Sequence, residues 1–92
     1  MKILVDTREQ RPLDFELDEI LTEIKRATLP VADYVAQYAD GSLCPIYFER
    51  KSIPDLFGTL TAGHKRFKAE LARAKDLNVR IVLAIEGTIR DI

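Results

Sequence analysis

Residues 43–55 read Leu43-Cys44-Pro45-Ile46-Tyr47-Phe48-Glu49-Arg50-Lys51-Ser52-Ile53-Pro54-Asp55. The first part alternates: Cys44, Ile46 and Phe48 fall on one face, and Tyr47, Glu49 and Lys51 on the other, as in a half-buried strand. The last part is helix-start chemistry. Ser52 can cap, Pro54 suits a first turn, and Asp55 stands three residues after the cap.

Working outward, residues 33–38 make a second strand, joined to the first around the turn signal Asp40-Gly41. Lys2-Ile3-Leu4-Val5-Asp6 is a short apolar run ended by a charge, as in a buried strand. Residues 7–19 are polar, contain Pro12 and read as loop. In 20–28, Ile20, Leu21, Ile24 and Ala27 fit a helical face, while Ile20, Thr22 and Ile24 alternate; the short length favours a strand. After Ser52 a short helix should run to about Leu60 and break near Gly63. A second, about 64–77, should turn Phe67, Leu71 and Ala74 inward and keep Lys65, Arg66, Lys68, Arg73 and Lys75 mostly outside. Asn78 is a stop, and Val79 to Ile85 reads as a central, buried strand. Strands, then helices, then a returning strand predict an α/β domain with a mixed sheet and helices packed on it.

Composition sets bounds on class. Ninety-two residues make one domain with a modest core, and 47% hydrophobic with 32% charged residues is ordinary for a globular protein. No apolar run approaches a membrane span and no signal peptide opens the chain, so an intracellular place is expected, cytoplasmic (nucleoid-associated) or nuclear. The lone Cys44 offers neither disulfide nor zinc site and suits core packing. The net charge of −1 hides an asymmetry: residues 1–47 carry five Lys/Arg against nine Asp/Glu, and residues 48–92 nine against six. A basic second half could face phosphates, but on charge alone a solvated helix face is the better reading.

Chemistry concentrates in three acids at strand ends or within a strand: Asp6, Asp33 and Glu49. Buried carboxylates need solvation, pairing or a hard cation. Mg²⁺ is commonly held by one or two carboxylates with waters and substrate phosphate. Glu49 and Lys51, two apart on a strand, share a face and can address one phosphate: the acid holds metal, and the lysine orients water or stabilises developing charge. Taken alone, Glu-X-Lys reads more readily as an exposed cross-strand ion pair of little worth.

The larger pattern is more specific. Asp6-Thr7-Arg8-Glu9, then Leu29-Pro30-Val31-Ala32-Asp33-Tyr34, then Glu49-Arg50-Lys51-Ser52-Ile53-Pro54-Asp55 occur in that order. Together they resemble the XPF-type nuclease domain, the excision-repair cross-complementing group four nuclease domain, whose signature is Gly-Asp followed after a gap by Glu-Arg-Lys-X-X-X-Asp. The similarity continues through Gly63-His64-Lys65-Arg66-Phe67, Glu70-Leu71 and Ile85-Glu86-Gly87. It implies a restriction-endonuclease-like core whose β-hairpin carries the active site, and cleavage of DNA, often at branched structures, using Mg²⁺ or, in its place, Mn²⁺.

Carried over by position, the resemblance makes Asp33 and Glu49 metal ligands and Asp6 a further ligand or outer-shell acid. Lys51 stands at the attacking water, and Arg50, also in the signature, either fixes the strand or reaches phosphate. Arg8 and Glu9 organise the site or form a loop salt bridge; Asp55 is either a site residue or a cap. His64, Lys65, Arg66 and Lys68 are the expected DNA contacts. A homodimer or heterodimer partner is also implied. Two departures stand out: Ala32 replaces the signature glycine, and the chain ends early, as a truncated domain or a short member of the family. A non-catalytic DNA-binding or scaffolding domain of the same fold is the alternative, and a metal-free interaction domain a more distant one.

The hairpin supplies a geometric condition. A two-residue Asp40-Gly41 loop would set Asp33 opposite Phe48 and turn Glu49 to the other face of the sheet. A shared site needs an odd loop, Ala39-Asp40-Gly41 with Gly41 in the left-handed region, or a bulge, for which Pro45 is a candidate.

Overall fold

A computed structural model describes residues 1–61 and 64–86, leaving aside the side chains of residues 60, 61 and 64. Among these residues the elements are β1 (Lys2–Asp6), β2 (Glu23–Ala27), β3 (Tyr34–Gln37), β4 (Leu43–Ser52), α1 (Ile53–Thr61), α2 (His64–Asp76) and β5 (Arg80–Glu86). The strands form one mixed sheet in the order β2-β1-β3-β4-β5. β1 pairs parallel with β2 and antiparallel with β3, β3 antiparallel with β4, and β4 parallel with β5. The two helices form the crossover that a parallel β4–β5 pair requires.

Local chemistry explains most boundaries. The Asp18 side chain accepts the amides of Ile20 and Leu21 at 2.8 and 2.7 Å, which holds that stretch in a turn and delays β2 until Glu23. Ser52 Oγ accepts the Asp55 amide at 3.2 Å and caps α1. Asn78, at φ 57°, ends α2: its amide donates to Lys75 O and that of Val79 to Ala74 O, a paired closure of the last turn. The expected break at Gly63 and the motif end at Gly87 lie outside the described residues.

The hairpin meets the geometric condition in two steps. Tyr38 N–H donates to Ser42 O at 2.8 Å around Ala39-Asp40-Gly41, with Gly41 at φ 89°. This three-residue loop sets the parity, pairing Gln37 with Leu43. Beyond it the register shifts, so that Val35 pairs with Tyr47 and Tyr34 with Phe48. One residue of β3, Ala36, therefore spans three of β4, Cys44-Pro45-Ile46. The shift of two keeps parity and slides β4 along; the paired register ends at Tyr34 and Phe48, and Asp33, just before β3, donates its amide to Phe48 O.

Three expectations need correction. Cys44 packs against the core cluster that contains Tyr47, not on the face of Ile46 and Phe48, because the bulge resets the alternation. β5 is an edge strand in the described sheet, with Val82 and Ile85 exposed. Its unbroken apolar run reflects pairing beneath a helical crossover rather than a central place. Leu71 is exposed, whereas Ala74 is buried and Phe67 half-buried. The core lies on the helix side of the sheet: Leu4, Leu29, Val31, Ala32, Val35 and Tyr47, with Ala27, Cys44, Val79 and Ile81 against them.

The reverse face is covered in part by the loop after β1. Phe15 meets the Tyr34 ring edge-on at 6.0 Å, and Leu13 N–H donates to the Tyr34 hydroxyl at 3.0 Å. Ile46, Phe48 and Val82 stay exposed there.

Candidate active site

Asp33 is fixed by strand ends on both sides. Its amide donates to Phe48 O at 3.0 Å, its carbonyl accepts the Asp6 amide at 2.8 Å, and its Oδ2 accepts the Arg50 amide at 2.8 Å. Burial first, then the charges of Glu9, Asp6 and Glu70, outweigh the Arg50 hydrogen bond and leave its pKa above the usual carboxylate value. Ala32, just before it, holds φ at 57°, a left-handed conformation costing an L-residue about 1–2 kcal/mol. Its amide donates to Glu70 Oε1 of α2 at 3.1 Å. The position filled by glycine in the signature thus keeps a glycine-like backbone.

Glu49 faces the same cleft. Its Oε2 is buried and, among the described residues, finds no hydrogen-bond partner. Burial, the adjacent Glu70 carboxylate and Asp33 push its pKa up to about 7, against the opposing pull of Lys51. Glu49 and Lys51 line one pocket together with Arg66 and Glu70. Asp33 and Glu49 line a larger cleft of about 380 Å³, walled by Asp6, Arg8, Ala32, Arg66, Glu70 and Arg73.

The other expected residues divide between this cleft and its supports. Asp6 is buried with both oxygens engaged: Oδ1 accepts the Leu29 amide at 2.9 Å and Oδ2 accepts Arg8 Nε at 2.6 Å. Burial alone would raise its pKa, but the hydrogen bonds from Arg8 and Leu29 and the Arg8 charge bring it below the usual value. Arg8 also donates to Leu29 O at 3.3 Å. Glu9 accepts the Tyr34 hydroxyl at 3.1 Å. Arg50 points to the reverse face, where it pairs with Glu86 of β5 and donates to the Arg11 carbonyl. It ties the loop after β1 to the β4–β5 edge. The cap at Ser52 uses the amide of Asp55, and Asp55 lines a neighbouring depression with Asp33, Glu49, Glu9 and Arg50. Arg66 lines the cleft, whereas Lys65 and Lys68 are exposed and do not. The His64 side chain lies outside the described residues.

Two site residues escaped the sequence reading, Glu70 and Arg73. A usable signal was there. Glu70 is the only acid between Lys65 and Lys75 on a basic helix, at helical spacing from Phe67 and Ala74 on the inward side.

No three Asp, Glu, His or Cys side chains among the described residues are gathered as a complete cage for an ion. The donor set nevertheless suits a hard cation: two carboxylates of raised pKa in one cleft, one with a buried oxygen that finds no partner among the described residues. Mg²⁺ needs no more than one or two carboxylates when water and phosphate complete its shell.

A mixed sheet with acids at adjoining strand ends and a helical crossover above them defines a restriction-endonuclease-like α/β domain. The ERCC4 domain model matches residues 5–92, and the chain belongs to that family. The family is nuclease-related, with a place in DNA repair, and its domains act on DNA. Comparison with curated proteins and with solved structures gives no significant match.

Proposed function

We propose that this chain is a Mg²⁺-dependent endodeoxyribonuclease domain that hydrolyses phosphodiester bonds in branched DNA, such as flaps and forks, during repair, recombination or replication. The observation that carries the reading is the acid pair Asp33 and Glu49, which line one cleft and are raised in pKa, with Glu49 Oε2 buried and lacking a hydrogen-bond partner among the described residues.

Asp33 and Glu49 would hold the ion, and Asp6, with both oxygens engaged, would act from the outer shell by fixing the Asp33 backbone. Mg²⁺, or Mn²⁺ in its place, would supply an acidified water and neutralise charge on the phosphate. Lys51, on the face of Glu49, donates hydrogen bonds to the attacking water or to the oxygen gaining charge. Glu70 holds the Ala32 backbone in place from α2 and stands against Glu49. Arg50 positions the Glu49–Lys51 segment from behind, through Glu86 and the Arg11 carbonyl.

A second reading is a DNA-binding scaffold without catalysis, which the arginines lining the cleft would equally serve. Cleavage of flap, fork and linear DNA with Mg²⁺ or Mn²⁺, wild type beside Glu49→Ala, separates the two. Cutting of the branched substrates by the wild type alone is expected. Equal cutting by Glu49→Ala, or none by either, overturns the catalytic reading.

A further inference from the structure

Three arginines, Arg8, Arg66 and Arg73, line the cleft. Arg8 is bound to Asp6 and the Leu29 carbonyl. Arg66 and Arg73 make no ion pair among the described residues. This is unexpected on α2 alone, since Glu70 stands four residues after Arg66 and three before Arg73, the spacings at which helix surface charges pair. Glu70 turns instead into the site, accepting the Ala32 amide at 3.1 Å and standing against Glu49. Both arginines are left available on either side of it. Seven residues apart on one stripe, they are separated by about 10 Å along the helix axis.

We propose that Arg66 and Arg73 grip backbone phosphates on either side of the scissile one, so that α2 lies along the strand to be cut. The inference rests on the nuclease reading of the Asp33–Glu49 cleft and adds the way substrate is held in register there. A guanidinium fork matches two phosphate oxygens and reads no base, so the grip is independent of sequence. With one cation to each side of Glu70, the phosphate between them falls over the acid pair.

Binding of a labelled DNA fork to the whole chain, followed by anisotropy in EDTA over a salt series, tests this without catalysis. Arg66→Ala and Arg73→Ala are each expected to weaken binding on the order of tenfold and to flatten the slope of log K against log salt by about one. The double variant should flatten it by about two. Lys75→Ala, which removes the same charge from the opposite side of α2, should change the slope far less. Arg→Gln variants repeat the test should an alanine variant melt early. Slopes of the arginine variants no different from that of Lys75→Ala overturn the grip, as does a wild type that fails to bind the fork. Adding Mg²⁺ to the same samples keeps the two claims apart. Cleavage with unchanged slopes sinks the grip and spares the nuclease reading; altered slopes without cleavage do the reverse.

Discussion

Glu49 and Lys51 face the helices, Arg50 between them faces the reverse side, and the two sides of β4 treat charge in opposite ways. Behind the sheet the charge is matched: Arg50 pairs with Glu86 and caps the Arg11 carbonyl. In front, Glu49 Oε2 is buried without a partner, Asp33 and Glu49 are raised, and Arg66 and Arg73 stand unpaired among the described residues. Matched polar groups hold a fold together, whereas unmatched ones cost stability and are tolerated where a ligand completes them. One signature strand thus serves two ends: Glu49 and Lys51 are set for chemistry, and Arg50 for structure.

The largest effect expected from this contrast is on activity at the front. Lys51→Ala should lower the cleavage rate by about 10²–10³, the usual consequence of losing one transition-state donor, with no change in melting temperature. Retained cleavage, or a loss explained by unfolding, would break the comparison there. Behind the sheet, Arg50→Ala should act mainly on stability, lowering the melting temperature modestly through loss of the partly exposed pair with Glu86. A double-mutant cycle with Glu86→Gln in thermal melts checks it. Independent effects would show that the pair does no structural work.

The pH dependence sharpens the difference further. Glu49 titrates near 7 in the folded chain and near 4.5 in its ordinary state. Between those values the folded form holds the extra proton, so metal-free stability must fall as pH rises through that window. Asp33, also raised, contributes with the same sign, whereas Asp6, lowered, gains stability as pH rises, at more acid pH. Melting between pH 5 and 8 in EDTA should therefore show a falling temperature that Glu49→Gln flattens. A rising curve, or one that Glu49→Gln leaves unaltered, would contradict the uncompensated front.

The smallest effect concerns Ala32. Glycine there should relieve about 1–2 kcal/mol of left-handed strain. Against this stand about 0.8 kcal/mol of buried methyl and up to about 1 kcal/mol of unfolded-chain entropy. Ala32→Gly should come out close to neutral in a melt, unlike a change at an ordinary buried alanine, and Ala32→Val clearly destabilising. A large loss with glycine would show that the backbone there is unstrained.

Much of this was legible in the sequence, for identifiable reasons. The alternation of Tyr47, Glu49 and Lys51 and the cap at Ser52 are local patterns, and the structure keeps both. The loop parity followed from Gly41. The two-residue slide was not legible, because Pro45 marks an irregularity without giving its size. The helix-borne part of the site was missed for a different reason. On a basic, amphipathic helix, charge reads as solvent-facing, and only the strand ends carrying Ala32 and Glu49 reveal that Glu70 turns inward.

The central claim is that Asp33 and Glu49 jointly hold a divalent cation. Mn²⁺ binding followed by electron paramagnetic resonance, with wild type, Asp33→Asn and Glu49→Gln side by side, tests it most directly. One ion held by the wild type at millimolar concentration or below, and lost in both folded variants, is the predicted result. Binding that survives in either variant, or is absent from the wild type, would contradict it.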